Sequence, residues 1–160
     1  MFETRNDLSA DTRAQVIRLL NARLADAIDL GMQTKHAHWN VKGPHFIALH
    51  ELFDKIAEAI EEHVDTIAER VTALGGTAAG TVAAVARATS LKAYPEELVE
   101  GLSHVDALAT ALADFGRKAR AGIDEAARLG DADTADLFTE VSREIDKQLW
   151  FLEAHLHAKR

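Results

Sequence analysis

Between Phe46 and Leu74 the apolar residues fall at Leu49, Phe53, Ile56, Ile60, Val64, Ile67, Val71 and Leu74, in steps of three and four. That period marks one amphipathic α-helix packing a single stripe into a core. No proline or glycine interrupts the run. A second set of residues shares the helix. His50, Asp54, Glu61, Asp65 and Glu69 centre roughly 120° from the apolar stripe, counting about 100° per residue. The plain reading of that face is a solvated acidic surface. The chemical reading is a set of imidazole and carboxylate ligands, which suits iron, manganese or zinc.

Distance separates the set into two groups. His50 and Asp54 are one turn apart, and so are Asp65 and Glu69. At a rise of about 1.5 Å per residue, His50 and Asp65 lie roughly 22 Å apart along the axis. Metal–ligand bonds are only about 2 Å long. One helix therefore cannot wrap both groups around one ion. Two copies running antiparallel, with a two-fold axis near Ala57–Ile60, can set His50 and Asp54 of one chain against Asp65 and Glu69 of the other. Two equivalent sites per dimer follow.

The rest of the chain reads as helix too. Its 160 residues suffice for one domain, residues 1–160. Only two prolines occur, Pro44 and Pro95, and no stretch shows sustained alternation of β-branched residues. Residues 1–8 form a short N-terminal tail. The first helix is expected from about Ser9 to Trp39, capped by Ser9 or Asp11. The second is the helix above, closed by Gly75-Gly76. The third is expected to start at Pro95, with Glu96 and Glu97 in its first turn, and to stop near Gly130. The fourth runs from about Asp133 to His155. Short links join the first to the second and the third to the fourth, so each pair is antiparallel. Residues 75–94 form a long crossover whose middle, Val82 to Arg87, reads as a short helix. The expected fold is all-α, a ferritin-like four-helix bundle with a short extra helix in the crossover between helices two and three. A di-iron site inside the bundle would use Glu-x-x-His. The residues three before each histidine are Gln33, Lys35, Lys42, Ile47, Ile60, Gly101, Leu152 and Ala154. None is Glu, which leaves the site between subunits.

The run Thr34-Lys35-x2-His38-Trp39-Asn40-Val41-x-Gly43-x2-Phe46-Ile47-Ala48-x-His50-Glu51-x2-Asp54 resembles the Dps family of mini-ferritins. So do His63-x-Asp65-x3-Glu69-Arg70, Leu74-Gly75-Gly76, Leu91-Lys92-x-Tyr94-Pro95, Asp131-x-Asp133-Thr134-Ala135-Asp136 and Asp146-Lys147-x2-Trp150-Phe151. The resemblance implies a hollow dodecamer with ferroxidase sites at its two-fold interfaces. By that similarity His38, His50 and Asp54 come from one subunit, and Asp65 and Glu69 from its partner. It also implies oxidation of Fe²⁺ at a di-iron centre, with hydrogen peroxide or dioxygen as oxidant. The ferric product is stored as a mineral inside the shell, which protects against oxidative damage. Trp39, next to a ligand, is assigned either to intercepting stray oxidising equivalents or to interface packing. Glu61 is assigned to attracting iron or to plain solvated surface. Asp131 and Asp136 stand at the start of the fourth helix, where carboxylates cap a helix. The resemblance adds a second task for them, lining a pore at the three-fold axes, with Glu140 one turn further on.

Net charge is −8, with 26 acidic against 18 basic residues. An acidic chain attracts cations and lacks the clustered Lys and Arg that a phosphate backbone demands. Dps proteins that bind DNA use a Lys-rich tail, whereas Met1–Leu8 here carries one Arg, two acids and no Lys. The end His155-Leu156-His157-Ala158-Lys159-Arg160 is only weakly basic. DNA binding is therefore not expected. The alternative function is a DNA-coating shell with a structural zinc or an inactive interface site, since His and carboxylate ligands also take zinc. His36, His45, His63, His104, His155 and His157 need only helical or surface roles, with His63 near the dimer face. Cysteine is absent, so no disulfide or thiol chemistry arises. No signal-type segment or long apolar run appears. A cytoplasmic location, with nucleoid association as an option, is the expectation.

Overall fold

Ser9 opens the first helix by accepting the Thr12 N–H on its hydroxyl at 3.0 Å, which satisfies one of the orphan donors of the first turn. The computed structural model describes residues 1–157. Lys159 and Arg160, part of the weakly basic end noted above, lie outside the described residues. Five helices follow in order: α1 (Ala10–Asn40), α2 (Phe46–Ala73), α3 (Val82–Ala88), α4 (Gly101–Arg128) and α5 (Ala132–His157). The chain is all-α. Among the described residues the only β pairing is an isolated parallel bridge between Lys42 and Glu100.

The two hairpins α1–α2 and α4–α5 form as their short links require, and α3 lies in the long crossover between them. The stripes meet in one core. Phe53, Phe115 and Phe138 are completely shielded, with Leu20, Leu24, Leu30, Ile56, Ile60 and Leu108 around them. Each such side chain stabilises the fold by about 1.5–3 kcal/mol through burial. Gly101 sits where α4 meets α2, and a Cβ there would come within 2.6 Å of the Leu49 side chain. Gly75 turns the chain out of α2 with φ +85°, a conformation that L-residues rarely adopt. The Gly75 carbonyl accepts the Phe2 N–H at 2.7 Å, so the tail is anchored to the end of α2.

The third expected helix starts later than its proline suggests. Pro95 and Glu96 stand outside α4, which begins at Gly101 with Glu100 as cap. Two contacts explain the delay. Pro95 closes a turn through its carbonyl and the Leu98 N–H at 3.4 Å, and the next residue, Val99, accepts the Lys42 N–H at 3.0 Å. Residues 98–100 are thus drawn out against the α1–α2 link. Glu100 then caps α4 by accepting the Ser103 N–H at 2.9 Å.

The crossover is held by polar groups on α1. Buried Asp26 accepts from the Ser90 N–H at 2.7 Å and pairs with Arg23 at 2.9 Å. Asp29 accepts from the Thr89 hydroxyl at 2.6 Å, Gln33 donates to the Lys92 carbonyl at 3.1 Å, and Asn21 accepts from the Ala79 N–H at 2.9 Å. These bonds satisfy loop backbone that would otherwise be costly to order.

Candidate metal centre

The α1–α2 link is only five residues long, so the last turns of α1 face the first turns of α2. This places His38 beside His50. His38 Nδ1 lies 2.7 Å from the His50 carbonyl oxygen, and His50 Nδ1 lies 2.8 Å from the His38 carbonyl oxygen. A carbonyl oxygen only accepts, so both Nδ1 atoms donate. In each neutral ring that leaves Nε2 as a lone pair, the form in which imidazole binds a metal. The rings stack with centroids 3.8 Å apart and planes 20° from parallel. Phe46 lies against His50 at 5.1 Å.

Asp54 completes this cluster from the next turn of α2. Its Oδ1 is 3.9 Å from His38 Nε2 and 2.5 Å from Lys35 Nζ. The Lys35 hydrogen bond holds the Asp54 carboxyl below the usual carboxylate range, partial desolvation opposes it, and the charges of His38, Lys35 and His50 add to the lowering. The position of Lys35 three residues before His38, on the same side of α1, was the signal that it would reach this site.

Asp65, Glu69 and Glu61 stand exposed further along α2. The straight helix keeps them away from His50, as the rise per residue requires. His38, His50 and Asp54 are neighbours, but among the described residues no three His, Cys, Asp or Glu side chains of one chain converge tightly enough to hold a metal ion. The donor set still fits iron or zinc, since it joins two neutral imidazoles held through Nδ1 to a neighbouring carboxylate. Trp39 is 61% exposed beside His38, and Phe46 and Ile47 are also exposed there. Exposed apolar side chains around polar ligands are characteristic of a surface made for burial against a partner.

The acidic start of α5 divides its labour. Asp131 is only 2% exposed. It accepts the Thr134 N–H at 3.1 Å, accepts the Thr134 hydroxyl at 2.6 Å, and pairs with Arg70 at 2.7 Å. Its carboxylate is therefore engaged by the helix cap and by Arg70. Asp136 is exposed and keeps pore lining as a candidate role. His63 departs from expectation. It falls in step with Ile56, Ile60 and Ile67 and is buried against α5. Burial lowers its pKa, opposed by Glu140, Glu144 and Glu62. His104 is buried as well.

Comparison with known proteins agrees across nearly the whole chain. The sequence profile of the ferritin-like domain matches residues 17–160. The "DNA protection during starvation protein" of Agrobacterium fabrum is 49% identical over 157 residues, covering 98% of this chain and 97% of that protein. The structure of Mycobacterium smegmatis Dps superposes with a TM-score of 0.92 at 32% identity, covering 98% of this chain and 94% of that one. A Dps protein from Vibrio cholerae, described as a member of a broad superfamily of ferritin-like diiron-carboxylate proteins, superposes with a TM-score of 0.90 at 26% identity, covering 98% of each chain.

Proposed function

The chain belongs to the Dps branch of the ferritin-like family, and from that membership we propose that it oxidises Fe²⁺ at sites shared between two subunits and stores the ferric product inside a homo-oligomeric shell. Iron handling and protection are the general business of this family; the peroxide chemistry, the dodecamer and the individual ligands are the proposal. The observation that carries it is the mutual tethering of His38 and His50 through their Nδ1 atoms, which leaves each ring its Nε2 lone pair, that of His38 3.9 Å from Asp54 Oδ1. That half-site wants carboxylates, and Asp65 and Glu69 are exposed on the same helix at a distance only a partner chain can close.

Iron is the substrate here. Two Fe²⁺ ions give one electron each to hydrogen peroxide, whose O–O bond breaks; with two protons the products are two Fe³⁺ and two waters. Taking both electrons together avoids release of a hydroxyl radical. His38 and His50 supply neutral nitrogen, while Asp54, Asp65 and Glu69 offset the cation charge. Lys35 holds Asp54 in place and competes for its oxygen until a cation arrives. Asp136 is the candidate for drawing cations through a pore, and Glu61 faces the same side of α2 as the ligands. Among the described residues no helix is long and apolar enough to cross a membrane.

The test is anaerobic Fe²⁺ oxidation on adding peroxide, with His50→Ala, Asp65→Ala and a co-assembled mixture of the two. Each variant alone loses oxidation. In an equal mixture about a quarter of two-fold sites draw their histidine and carboxylate from intact sources, so about a quarter of the native rate returns. Failure of the mixture to recover any rate would overturn the shared site. Stoichiometric zinc after purification, with no Fe²⁺ oxidation, would favour the structural-zinc shell.

A further inference from the structure

Residues 91–98 of the crossover run between two clefts. One, of about 780 Å³, lies against α4; the other, of about 440 Å³, lies against α1 and is bordered by His36 and Trp39. Leu91, Ala93 and Tyr94 border both, so this segment is the wall that separates them. It is tied down at each end. Before it, the Ser90 N–H donates to Asp26 at 2.7 Å and the Ser90 carbonyl accepts from Lys118 at 2.9 Å. After it, the Val99 carbonyl accepts the Lys42 N–H at 3.0 Å. Between these ends Gln33 reaches the Lys92 carbonyl at 3.1 Å, and the Tyr94 hydroxyl lies 2.7 Å from His104 Nδ1. A strap with open space on both sides and fixed ends can lift locally while the bundle stays folded.

His104 makes the central bond sensitive. Its side chain is wholly shielded from solvent, and the Tyr94 ring lies nearly parallel to it, 15° off with centroids 6.1 Å apart. Burial raises the pKa of the Tyr94 phenol, so the phenol keeps its proton and donates it to Nδ1. That bond needs a neutral imidazole, because a proton on Nδ1 removes the acceptor. The other nitrogen, Nε2, is buried without a hydrogen-bond partner. A doubly protonated ring would therefore hold its charge in a shielded place with a donor unmet, which is costly. Three titratable groups face the ring: Tyr94 from the crossover, His36 from α1 and Glu100 from α4 itself. From α2 it meets the uncharged Phe53 ring at 6.4 Å. Burial is the largest influence and lowers the His104 pKa; the Leu98 backbone opposes, His36 adds and Glu100 opposes.

We propose that Tyr94 and His104 form an acid-released latch, which at neutral pH holds residues 91–98 down between the two clefts and on protonation of His104 frees them, opening the flank of α1 that carries His36 and Trp39. The direction follows from linkage. With the strap closed, the ring resists a proton; with the strap lifted, water reaches the ring and its pKa returns to about 6.5. The opening constant is then flat above about pH 6.5. It grows as pH falls, by at most about tenfold per pH unit, and levels off below the closed-state pKa.

The test is limited proteolysis of the intact protein by a glutamyl endoprotease, which cuts after Glu96 and Glu97. The rate at each pH is divided by that of an unstructured peptide of the same sequence. Cleavage follows the population of the open strap when reclosing outpaces cutting. The native protein should be cut increasingly fast below about pH 6.5, with unchanged helical content and oligomer size. His104→Gln keeps an acceptor for the phenol but no titrating ring, and should give a flat profile. Tyr94→Phe should be cut about fivefold faster at pH 7.5, the fold-change of one ordinary hydrogen bond. That second variant decides the matter even if the buried substitution fails to fold. A flat profile in the native protein would overturn the latch, as would a rising one in His104→Gln. So would an unchanged rate in Tyr94→Phe, or helix loss in step with cleavage.

Discussion

His38 and His50 fix each other through main-chain carbonyls: each Nδ1–H reaches the other residue's carbonyl oxygen, at 2.7 and 2.8 Å. Because the acceptors are backbone, truncating one ring leaves the other still tethered. His38→Ala should therefore remove one ligand without releasing His50. We expect Fe²⁺ oxidation to fall by at least about tenfold, the scale on which disturbing even an outer partner of a metal ligand is felt, with unchanged helical content by circular dichroism. A wild-type rate in stopped flow would remove His38 from the ligand set.

Lys35 and a metal ion want the same Asp54 oxygen. Lys35→Gln removes the ammonium that holds the Asp54 carboxyl below its usual range. Two effects then compete: the carboxylate takes a proton slightly more readily, and it no longer has to leave a cation to bind one. Near pH 7 the second effect wins, since Asp54 remains ionised. Calorimetric titration with Zn²⁺ or Co²⁺ should show affinity raised by a few-fold, the modest size expected of a half-exposed ion pair. Weakened binding would make Lys35 a support of the site.

Arg70 and Asp131 tie α2 to the start of α5, with side chains only 16% and 2% exposed. Arg70→Leu strands the buried carboxylate and should cost about 3 kcal/mol or more in stability. Asp131→Asn keeps a capping side chain and should cost less. Urea denaturation of the two variants gives the order, and a harmless Arg70→Leu would contradict it.

His63 and His104 both have pKa values lowered from 6.5 by burial. The sign is then fixed: the folded chain prefers the neutral rings, so their stabilisation is present above the unfolded value of about 6.5 and is lost as pH falls through the lower folded values. The urea midpoint should drop between pH 7.5 and pH 5. His63→Leu, which suits the apolar stripe, should flatten that dependence; an equally steep profile would deny His63 a part in it.

Asp136 is exposed at the start of α5 while Asp131 is buried. Asp136→Asn should slow iron uptake into the assembled shell and leave the extent of oxidation per subunit unchanged. Identical uptake kinetics would remove Asp136 from the entry path.

Much of this was legible along the chain because helices are local. A stripe repeating every three to four residues, Ser9 as a cap and the double glycine at the end of α2 all act within a few positions of themselves. The ligand-type residues could be picked out for the same reason, and so could the fact that their two groups are too far apart on one helix. Other features depended on contacts between distant segments. Pro95 signals a helix start, yet it closes only a turn to Leu98, and Val99, bonded to Lys42, holds the chain out of helix until Gly101. Asp131 carries the same local signal as Asp136, but Arg70, far away in sequence, takes it out of solvent. Spacing alone puts Lys35 near His38; only the folded hairpin lays it on Asp54 and ties the two histidine rings to each other's backbone. The sequence by itself determined the helices, their stripes and the chemistry of the available ligands, since these follow from the period of the backbone. Only the tertiary structure decided which polar groups are spent on one another and which remain to do chemistry, because that depends on the close packing of elements remote along the chain.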